Sequence, residues 1–322
     1  MEKGTDSPDN KISADVVSAA PLFTDSSGYR FYPLASSSLP SLRSAVLSLQ
    51  KQHHSQVHGT ILLSTEGTNV RLSGPSHQIA FFKLALHKAL DFDVLNYKDT
   101  PATVCSLPRF LVKIKKELIS MGQVLDPALL NRPSPAQHIT AASFRHLSKT
   151  ATESGAPFTI LDTRNAYEVS LGKLNDAVHL DINTFREFPD AVASNIKSDN
   201  PLPKDKPILM YCTGGIRCEK AAHAMVSAGY SSSLLYQLSG GILSLLADSP
   251  SRSLYSGGCF VFDDRIVVNP DLSPTHARTC FSCRSHPLFP SDLTDRPDVF
   301  ACPKCDYPDY LNTNCKRRKK NT

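Results

Sequence analysis

The sequence predicts an α/β protein in which a small α+β domain precedes a parallel-sheet domain, with a cysteine-rich tail after it. Three observations predict this fold class. Strand and helix patterns between residues 29 and 122 follow the order β-α-β-β-α-β. From Phe158 onward, short continuous apolar runs alternate with helices, which is typical of a parallel sheet covered on both faces. After residue 250 the periodicity fades and paired cysteines take over.

The composition is that of a globular protein with room for two or three domains. The chain has 322 residues, of which 41% are hydrophobic and 20% are charged. It lacks a run of about 18 apolar residues, so no membrane partner is expected. Its nine cysteines are odd in number and include Cys-x2-Cys pairs, which favours metal binding and catalysis over a disulfide framework. The net charge of +5 permits a nucleic-acid partner, although surface lysines explain it equally well.

The two ends of the chain are predicted to be tails. Residues 1–28 are mostly polar and charged, and we expect a disordered extension. Their acidic residues do not fit an organelle transit peptide, so a cytoplasmic location is predicted. Residues 316–322 form a basic tail. The run 316–320 can contact phosphates or act as a nuclear address, and a solvated tail is the plainer alternative.

Residues 29–122 are predicted to form the small α+β domain, whose element order fits a ferredoxin-like unit. The expected strands are 29–34, 57–63, 70–72 and 110–116, and the expected helices are 39–50 and 76–89. The last strand alternates apolar with basic side chains. Its basic face offers a contact for RNA phosphates, and an ordinary polar sheet face is an equal alternative. The basic residues in question are Arg109, Lys113, Lys115 and Lys116.

Residues 139–250 are predicted to form the parallel-sheet domain. Residues 123–138 contain three prolines and are predicted to be a linker before it. The expected helix is 140–150, and the expected strands are 158–161, 177–180, 208–211 and 234–236.

Cys212 is the residue predicted to carry the chemistry. Cys212 follows the buried strand Ile208–Tyr211, and a helix begins near Arg217, the second predicted catalytic residue. The loop between them consists of Thr213, Gly214, Gly215 and Ile216. Glycines let backbone N–H groups converge on one point, and a helix N-terminus adds partial positive charge there. Cys212 is therefore predicted to be a thiolate at neutral pH, with a buried structural cysteine beside a plain turn as the alternative.

The length of this loop separates two chemistries. Cysteine phosphatases use Cys-x5-Arg, a ring wide enough to hold a phosphate. Here only four residues separate Cys212 from Arg217. The smaller ring suits a single sulfur atom bound to Cys212, and the backbone amides would hold a persulfide anion as they would an oxyanion.

The tail at residues 251–315 is predicted to bind structural zinc. Two Cys-x2-Cys pairs are separated by 18 residues, which is a standard spacing for a four-thiolate zinc site. Two disulfides or free thiols are the alternatives, and Cys315 is left over. The predicted ligands are Cys280, Cys283, Cys302 and Cys305.

The loop and an upstream segment resemble rhodanese domains. Residues 161–168, LDTRNAYE, look like the Asp-x-Arg…Glu signature that follows an early strand in that family. The resemblance implies that Asp162 and Arg164 pair to support the sheet edge near the active loop. Cys218 either resolves a persulfide on Cys212 as a disulfide or is a plain helix residue.

The domain order resembles a more specific family, the tRNA uridine hydroxylases, over residues 29–305. The segments that carry the resemblance are 59–69 (GTILLSTEGTN), 112–122 (VKIKKELISMG), 162–168 (DTRNAYE), 210–220 (MYCTGGIRCEK) and 260–265 (FVFDDR). The resemblance implies hydroxylation of the wobble uridine of tRNA to 5-hydroxyuridine, with Cys212 essential. It also implies molecular oxygen or a prephenate-derived oxidant and no nucleotide cofactor. One hypothesis is that the Cys212 thiolate adds to C6 of uridine and thereby activates C5.

Two other functions compete with this interpretation. The first is a thiosulfate-type sulfurtransferase that takes a persulfide on Cys212 from a small sulfur donor. The second is a non-enzymatic adaptor, which the joint presence of cysteine, glycines and arginine disfavours. A simple sulfurtransferase needs neither a basic α+β domain nor a zinc tail. The sequence carries no signal for oligomeric state.

Overall fold

A computed structural model gives the architecture of the chain. It describes residues 22–53, 55–91, 95, 97–154, 158–195, 201–263, 265–280, 287–289, 299–302 and 308–310. The N-terminal domain is a five-stranded sheet in the order β4-β1-β3-β2-β5, antiparallel except where β5 runs parallel to β2. Its elements are β1 (Phe23–Phe31), α1 (Leu39–His53), β2 (His58–Ser64), β3 (Gly67–Pro75), α2 (Ser76–Leu90), β4 (Lys98–Ala102) and β5 (Phe110–Ile114).

The core of this domain lies between the sheet and its two helices. Alternate residues of β2 and β3, among them Ile61, Leu63 and Val70, are fully buried. They pack against Phe82 and Leu86, which lie one turn apart on α2. The buried face of the strands, which repeats every two residues, therefore packs against the apolar face of α2.

Two strands of this domain differ from the sequence-based expectation. β1 begins at Phe23, inside the segment for which the sequence predicts disorder. Its small polar residues Thr24 and Ser26 are buried because β1 is paired on both sides, with β3 and β4.

The edge strand β4, Lys98–Ala102, was not predicted because it contains a proline and no apolar run. It completes the ferredoxin-like unit, whereas the predicted last strand adds to the opposite edge of the sheet. Residues 1–21 lie outside the described residues.

The second domain is a five-stranded parallel sheet in the order β6-β11-β10-β7-β9. Its central strand is β10, every residue of which is buried. Two apolar clusters, one containing Met210 and the other Tyr211, pack on the two faces of the sheet. The elements are α3 (Pro127–Leu130), β6 (Gln137–Ile139), α4 (Ala141–Ser154), β7 (Thr159–Asp162), α5 (Ala166–Val169), β8 (Gly172–Leu174), β9 (Val178–His179), α6 (Phe188–Asn195), β10 (Ile208–Tyr211), α7 (Ile216–Ser227), β11 (Leu235–Leu238) and α8 (Gly241–Ala247).

The segment 123–138, predicted to be a linker, contains the short helix α3 and the start of a strand. Asp126 caps α3 by accepting a hydrogen bond from the amide of Ala128 at 2.7 Å. β6 then pairs with β11 at the edge of the parallel sheet. The sequence did not predict this strand because it is only three residues long and two of its residues are exposed. It also follows a segment that contains three prolines.

Short two-stranded ribbons follow the parallel sheet. The ribbon strands are β12 (Tyr255–Gly257), β13 (Cys259–Phe260), β14 (Val267–Val268), β15 (Arg278–Thr279), β16 (Pro287–Leu288), β17 (Val299–Ala301) and β18 (Pro308–Tyr310).

None of the helices in the described part of the chain has both the length and the apolar character that a membrane span requires.

Candidate active site

Cys212 lies at the carboxyl end of the central strand β10, where ligands of open parallel sheets bind. The amide of Gly215 donates a hydrogen bond to the Cys212 sulfur at 3.0 Å. Gly215 has a φ of 98°, and a Cβ there would lie 2.9 Å from the hydroxyl oxygen of Tyr29. The turn therefore requires glycine for its left-handed backbone and for this close approach.

The surroundings of Cys212 favour its thiolate. Burial alone would raise the pKa of this thiol. Hydrogen bonding from Cys218, the charge of Arg217 and the amides of Arg217 and Gly215 outweigh burial and lower the pKa to about 5. These surroundings therefore favour the ionised form of Cys212 at neutral pH.

Cys218 is the protonated partner of that thiolate. It is fully buried on the first turn of α7, and its pKa is raised well above the ordinary value by burial and by Cys212. The hydroxyl of Thr163 lies 3.7 Å from its sulfur. The structure thus brings Cys218 next to Cys212 as a hydrogen-bonding thiol.

Arg217 is held by a buried carboxylate, that of Glu168. Its two terminal nitrogens lie 2.5 and 2.7 Å from the oxygens Oε2 and Oε1 of Glu168. The hydroxyl of Thr213 donates to the same carboxylate at 3.1 Å, which ties the loop to α5. Arg217 therefore fixes the loop and supports the thiolate with its charge. The sequence contains Glu168 in the rhodanese-like segment, but its partner is evident only in the folded chain.

Asp162 and Arg164 form a fully buried pair below the loop. The guanidinium Nη2 of Arg164 lies 2.7 Å from Oδ2 of Asp162, and Nε lies 2.9 Å from Oδ1. The hydroxyl of Tyr211 donates to the same carboxylate at 2.5 Å, and Arg164 also donates to the carbonyl of Gly172 at 2.7 Å. The pair thus joins β7, β8 and the central strand.

Two side chains of the N-terminal domain complete the site, and sequence reasoning missed both. Lys98 on β4 donates to the carbonyl of Gly214 at 3.1 Å. Tyr29 on β1 lies over Gly215 and donates to Glu219 at 3.3 Å. No local signal identifies them, because their role depends on how the two domains dock.

A cavity of about 550 Å³ opens above Cys212 at the junction of the two domains. Its wall carries more basic than acidic side chains, with Arg71, Arg186 and Arg265 against Asp25 and Asp263, and Phe262 adds an aromatic ring. Its volume is in the range of small-molecule sites. The predicted RNA-binding residues are exposed on the N-terminal domain and are not among the described residues that line this cavity. Those residues are Arg109, Lys113, Lys115 and Lys116.

The predicted zinc ligands are described only in part. Cys280 and Cys302 are buried together with Leu288 in one small cluster. Cys283 and Cys305 lie outside the described residues, as do Cys315 and the basic tail. Among the residues that are described, no group of three or more candidate ligands is arranged to hold a metal.

The fold and the loop define the class of protein: a rhodanese-type cysteine domain joined to a ferredoxin-like domain. Protein-family models match both parts. A rhodanese-like domain matches residues 144–248, and a UPF0176 acylphosphatase like domain matches residues 24–118. The predicted order of the two folded domains is confirmed.

Curated relatives identify the family. A tRNA uridine(34) hydroxylase of Paraburkholderia phytofirmans is 37% identical over 259 residues, which cover 78% of this chain and 86% of the relative. One of a Picosynechococcus species is 34% identical over 253 residues, which cover 78% of this chain and 80% of the relative. This chain belongs to the tRNA uridine(34) hydroxylase family.

Two solved structures show similarity to single domains. The rhodanese-like domain of an Anabaena protein is 26% identical, with a TM-score of 0.29. The matched region covers 37% of this chain and 78% of the Anabaena chain. An acylphosphatase from Bacillus subtilis is 12% identical, with a TM-score of 0.22, and covers 28% of this chain and 97% of its own.

Proposed function

We propose that this chain is an enzyme that hydroxylates uridine 34 of tRNA, with Cys212 as the essential residue. The observation that carries the proposal is a thiolate at the base of a basic cavity that both domains build. A simple sulfur carrier does not need a second domain over its loop. The relatives that share both domains bear the name tRNA uridine(34) hydroxylase.

The chemistry we propose begins with the Cys212 thiolate as a nucleophile. Its sulfur adds to C6 of the uracil ring, which makes C5, the carbon to be hydroxylated, electron-rich. The oxygen atom comes from a small oxidant, and we propose molecular oxygen or a prephenate-derived compound. Incubation under ¹⁸O₂ separates the two sources, because the product nucleoside gains the heavy isotope only when molecular oxygen supplies the atom.

The decisive test is nucleoside mass spectrometry of tRNA from cells that lack this chain. We expect 5-hydroxyuridine and nucleosides derived from it to be absent at position 34. The intact chain and the control Cys105→Ser should restore them, whereas Cys212→Ser should not. Cys105 is a suitable control because it is a partly buried thiol that bonds to backbone carbonyls outside the loop. Unchanged levels in the deficient cells would refute the proposal.

A sulfurtransferase is the second candidate, and one contact favours it. The amide of Gly215 points at the Cys212 sulfur, in the way that would hold a persulfide anion. In this reaction Cys212 takes the sulfane sulfur of thiosulfate, releases sulfite, and passes the sulfur to cyanide as thiocyanate. Thiocyanate formation together with unchanged uridine 34 modification in deficient cells would establish this alternative.

We propose that tRNA phosphates bind the basic wall of the cavity and the exposed edge of the N-terminal domain. Exposed Arg186 supports the first surface most directly, and Arg71 and Arg265 add charge that Asp263 partly neutralises. Charge is the main source of affinity for a nucleic acid. The second surface consists of Arg109, Lys113, Lys115 and Lys116. We propose the cytoplasm as the site of action.

We propose a structural zinc ion in the tail. The burial of Cys280 and Cys302 in one cluster supports a shared site for the two Cys-x2-Cys pairs. Zinc would hold the tail folded through four thiolates and leave no open position for catalysis. Elemental analysis of the purified protein tests this: one zinc per chain is expected, and Cys302→Ser should lower that content. A metal-free protein with an ordered tail would contradict it.

A further inference from the structure

Lys98 enters the active site from the other domain. It is the first residue of the edge strand β4, and its ammonium donates to the carbonyl of Gly214 inside the cysteine loop at 3.1 Å. Gly240, at the start of α8, has a φ of 84°, and a Cβ there would collide with the end of the Lys98 side chain. The lysine is thus held between the loop and the turn before α8.

Lys98 also forms a wall that two cavities share. It lines the cavity above Cys212, and with Tyr29 it lines a second cavity of about 500 Å³. A molecule bound in this cavity therefore has Cys212 on one side and Lys98, from the N-terminal domain, on the other. The side chain is partly buried, so water screens its charge less than that of an exposed lysine.

The charge of Lys98 is less neutralised than that of the neighbouring arginines. Arg217 is bound by Glu168, and Arg71 and Arg265 are bound by Asp263. Within the described part of the chain, the ammonium of Lys98 meets a backbone carbonyl instead of a carboxylate. Arg186 also lines the cavity but is exposed to water, whereas Lys98 is partly buried and has the Cys212 thiolate as its anionic neighbour. Lys98 is therefore the cation best placed to respond when negative charge moves from that thiolate onto a substrate.

The protonation of Lys98 suits this role. Burial lowers its pKa to about 8, and the nearby Cys212 and Cys218 oppose that decrease. At neutral pH the side chain is mainly an ammonium ion, close to the point at which it exchanges its proton.

We infer that Lys98 is a catalytic residue that stabilises the enolate formed when Cys212 adds to uridine 34. The inference rests on the proposed function and assigns a role within it. The thiolate electron pair forms the Sγ–C6 bond, the C5=C6 π pair becomes the C4=C5 double bond, and the C4=O π pair becomes a charge on O4. Lys98 donates a hydrogen bond to O4, as a donor in an oxyanion hole does. No oxidant takes part in this step.

The step can be measured without oxidation, through hydrogen exchange at C5. In D₂O the enolate takes a deuteron at C5, loses the original proton and expels the thiolate. The net change replaces one C5 hydrogen of uridine 34 by deuterium. The full-length protein and unmodified tRNA are incubated under anaerobic conditions, and the nucleosides are analysed by mass spectrometry. We expect exchange with the wild type and none with Cys212→Ser.

Lys98→Met should lower the exchange rate at saturating tRNA by on the order of 100-fold, the cost of losing one oxyanion donor. Lys98→Gln, which keeps a neutral donor, should also be strongly impaired. Lys204→Met is the matched control, because Lys204 also donates to a backbone carbonyl, that of Ala228, at 2.9 Å and lines neither cavity. It should exchange like the wild type.

A structural role is separated from catalysis by the reactivity of Cys212. Loss of the Lys98 charge should raise the Cys212 pKa, but Cys218, Arg217 and Gly215 hold that pKa at about 5, so at pH 7 Lys98→Met should still be alkylated by iodoacetamide like the wild type. Retained exchange in Lys98→Met or Lys98→Gln would overturn the inference, and so would equal losses of exchange and alkylation. A wild type that hydroxylates uridine 34 but shows no C5 exchange would also overturn it, while leaving the proposed function intact. Failure of the proposed function itself is recognised separately, in the tRNA of deficient cells.

Discussion

The ammonium of Lys220 lies 2.8 Å from Oε1 of Glu66, and both side chains are completely buried. Lys220 belongs to the helix that begins at the cysteine loop, and Glu66 belongs to the hairpin between β2 and β3 of the other domain. The same ammonium contacts Glu117 at 2.7 Å and the carbonyl of Gln123 at 2.6 Å. A charge network in the interior thus fixes the active-site helix to the domain that supplies Lys98.

Lys220→Met is expected to destabilise the protein more than removal of a surface lysine. It leaves the Glu66 carboxylate buried with only its backbone donors, the amides of Leu118 and Leu125. Removal of one partner of a buried ion pair costs about 3–5 kcal/mol. Urea unfolding at pH 7 measures the loss, with Lys204→Met as the surface control. A decrease below about 1 kcal/mol would show that the network does not hold the domains.

Cys212 should react with iodoacetamide at acidic pH. Its pKa of about 5 predicts a constant alkylation rate from neutral pH down to about pH 6 and a half-maximal rate near pH 5. An ordinary thiol loses its thiolate below its pKa of about 8.5. Peptide mass spectrometry assigns the labelled site, and Cys212→Ser should abolish the acidic reactivity. A half-maximal rate near pH 8.5 at Cys212 would mean that the loop does not stabilise the thiolate.

The sequence predicted the parts of the site that are local along the chain. Strand, cysteine, glycine pair, arginine and helix lie within residues 208–220, so their order alone predicts the thiolate of Cys212. Lys98 and Tyr29 escaped prediction because they reach the loop only through domain docking. The sequence also did not predict β4, because a polar edge strand with a proline has no hydrophobic pattern. This strand depends on its pairing with β1.

Glu168→Gln is expected to destabilise the cysteine loop in a pH-dependent way. The change leaves Arg217 buried without its carboxylate, which costs about 3–5 kcal/mol at pH 7. Burial opposes ionisation of Glu168, but Arg217 outweighs it and holds the pKa below the ordinary 4.5. A lowered pKa contributes stability above the unfolded value and loses it as the pH falls through the folded value. The difference in unfolding free energy between wild type and variant should therefore shrink below about pH 4.5.

The control for this experiment is Asp205→Asn, on an exposed carboxylate that makes no hydrogen bond or ion pair within the described part of the chain. Its effect should stay below about 0.5 kcal/mol. If the Glu168→Gln difference is as large at pH 3 as at pH 7, the ion pair with Arg217 is not its source.

Arg186→Gln should weaken tRNA binding without affecting the thiolate. Arg186 is exposed at the wall of the cavity and is therefore free to contact a phosphate, unlike Arg217, which Glu168 binds. A variant that makes one phosphate contact fewer releases about one counterion fewer when it binds tRNA. The slope of log affinity against log salt should therefore become less steep by about 1. Filter binding over a salt series measures both quantities, and iodoacetamide labelling of Cys212 should match the wild type. Lys204→Gln, outside both cavities, is the control with the same charge change. An unchanged salt slope for Arg186→Gln would place the tRNA backbone on another surface. The exposed basic residues on β5 and directly beside it would then be the next to replace.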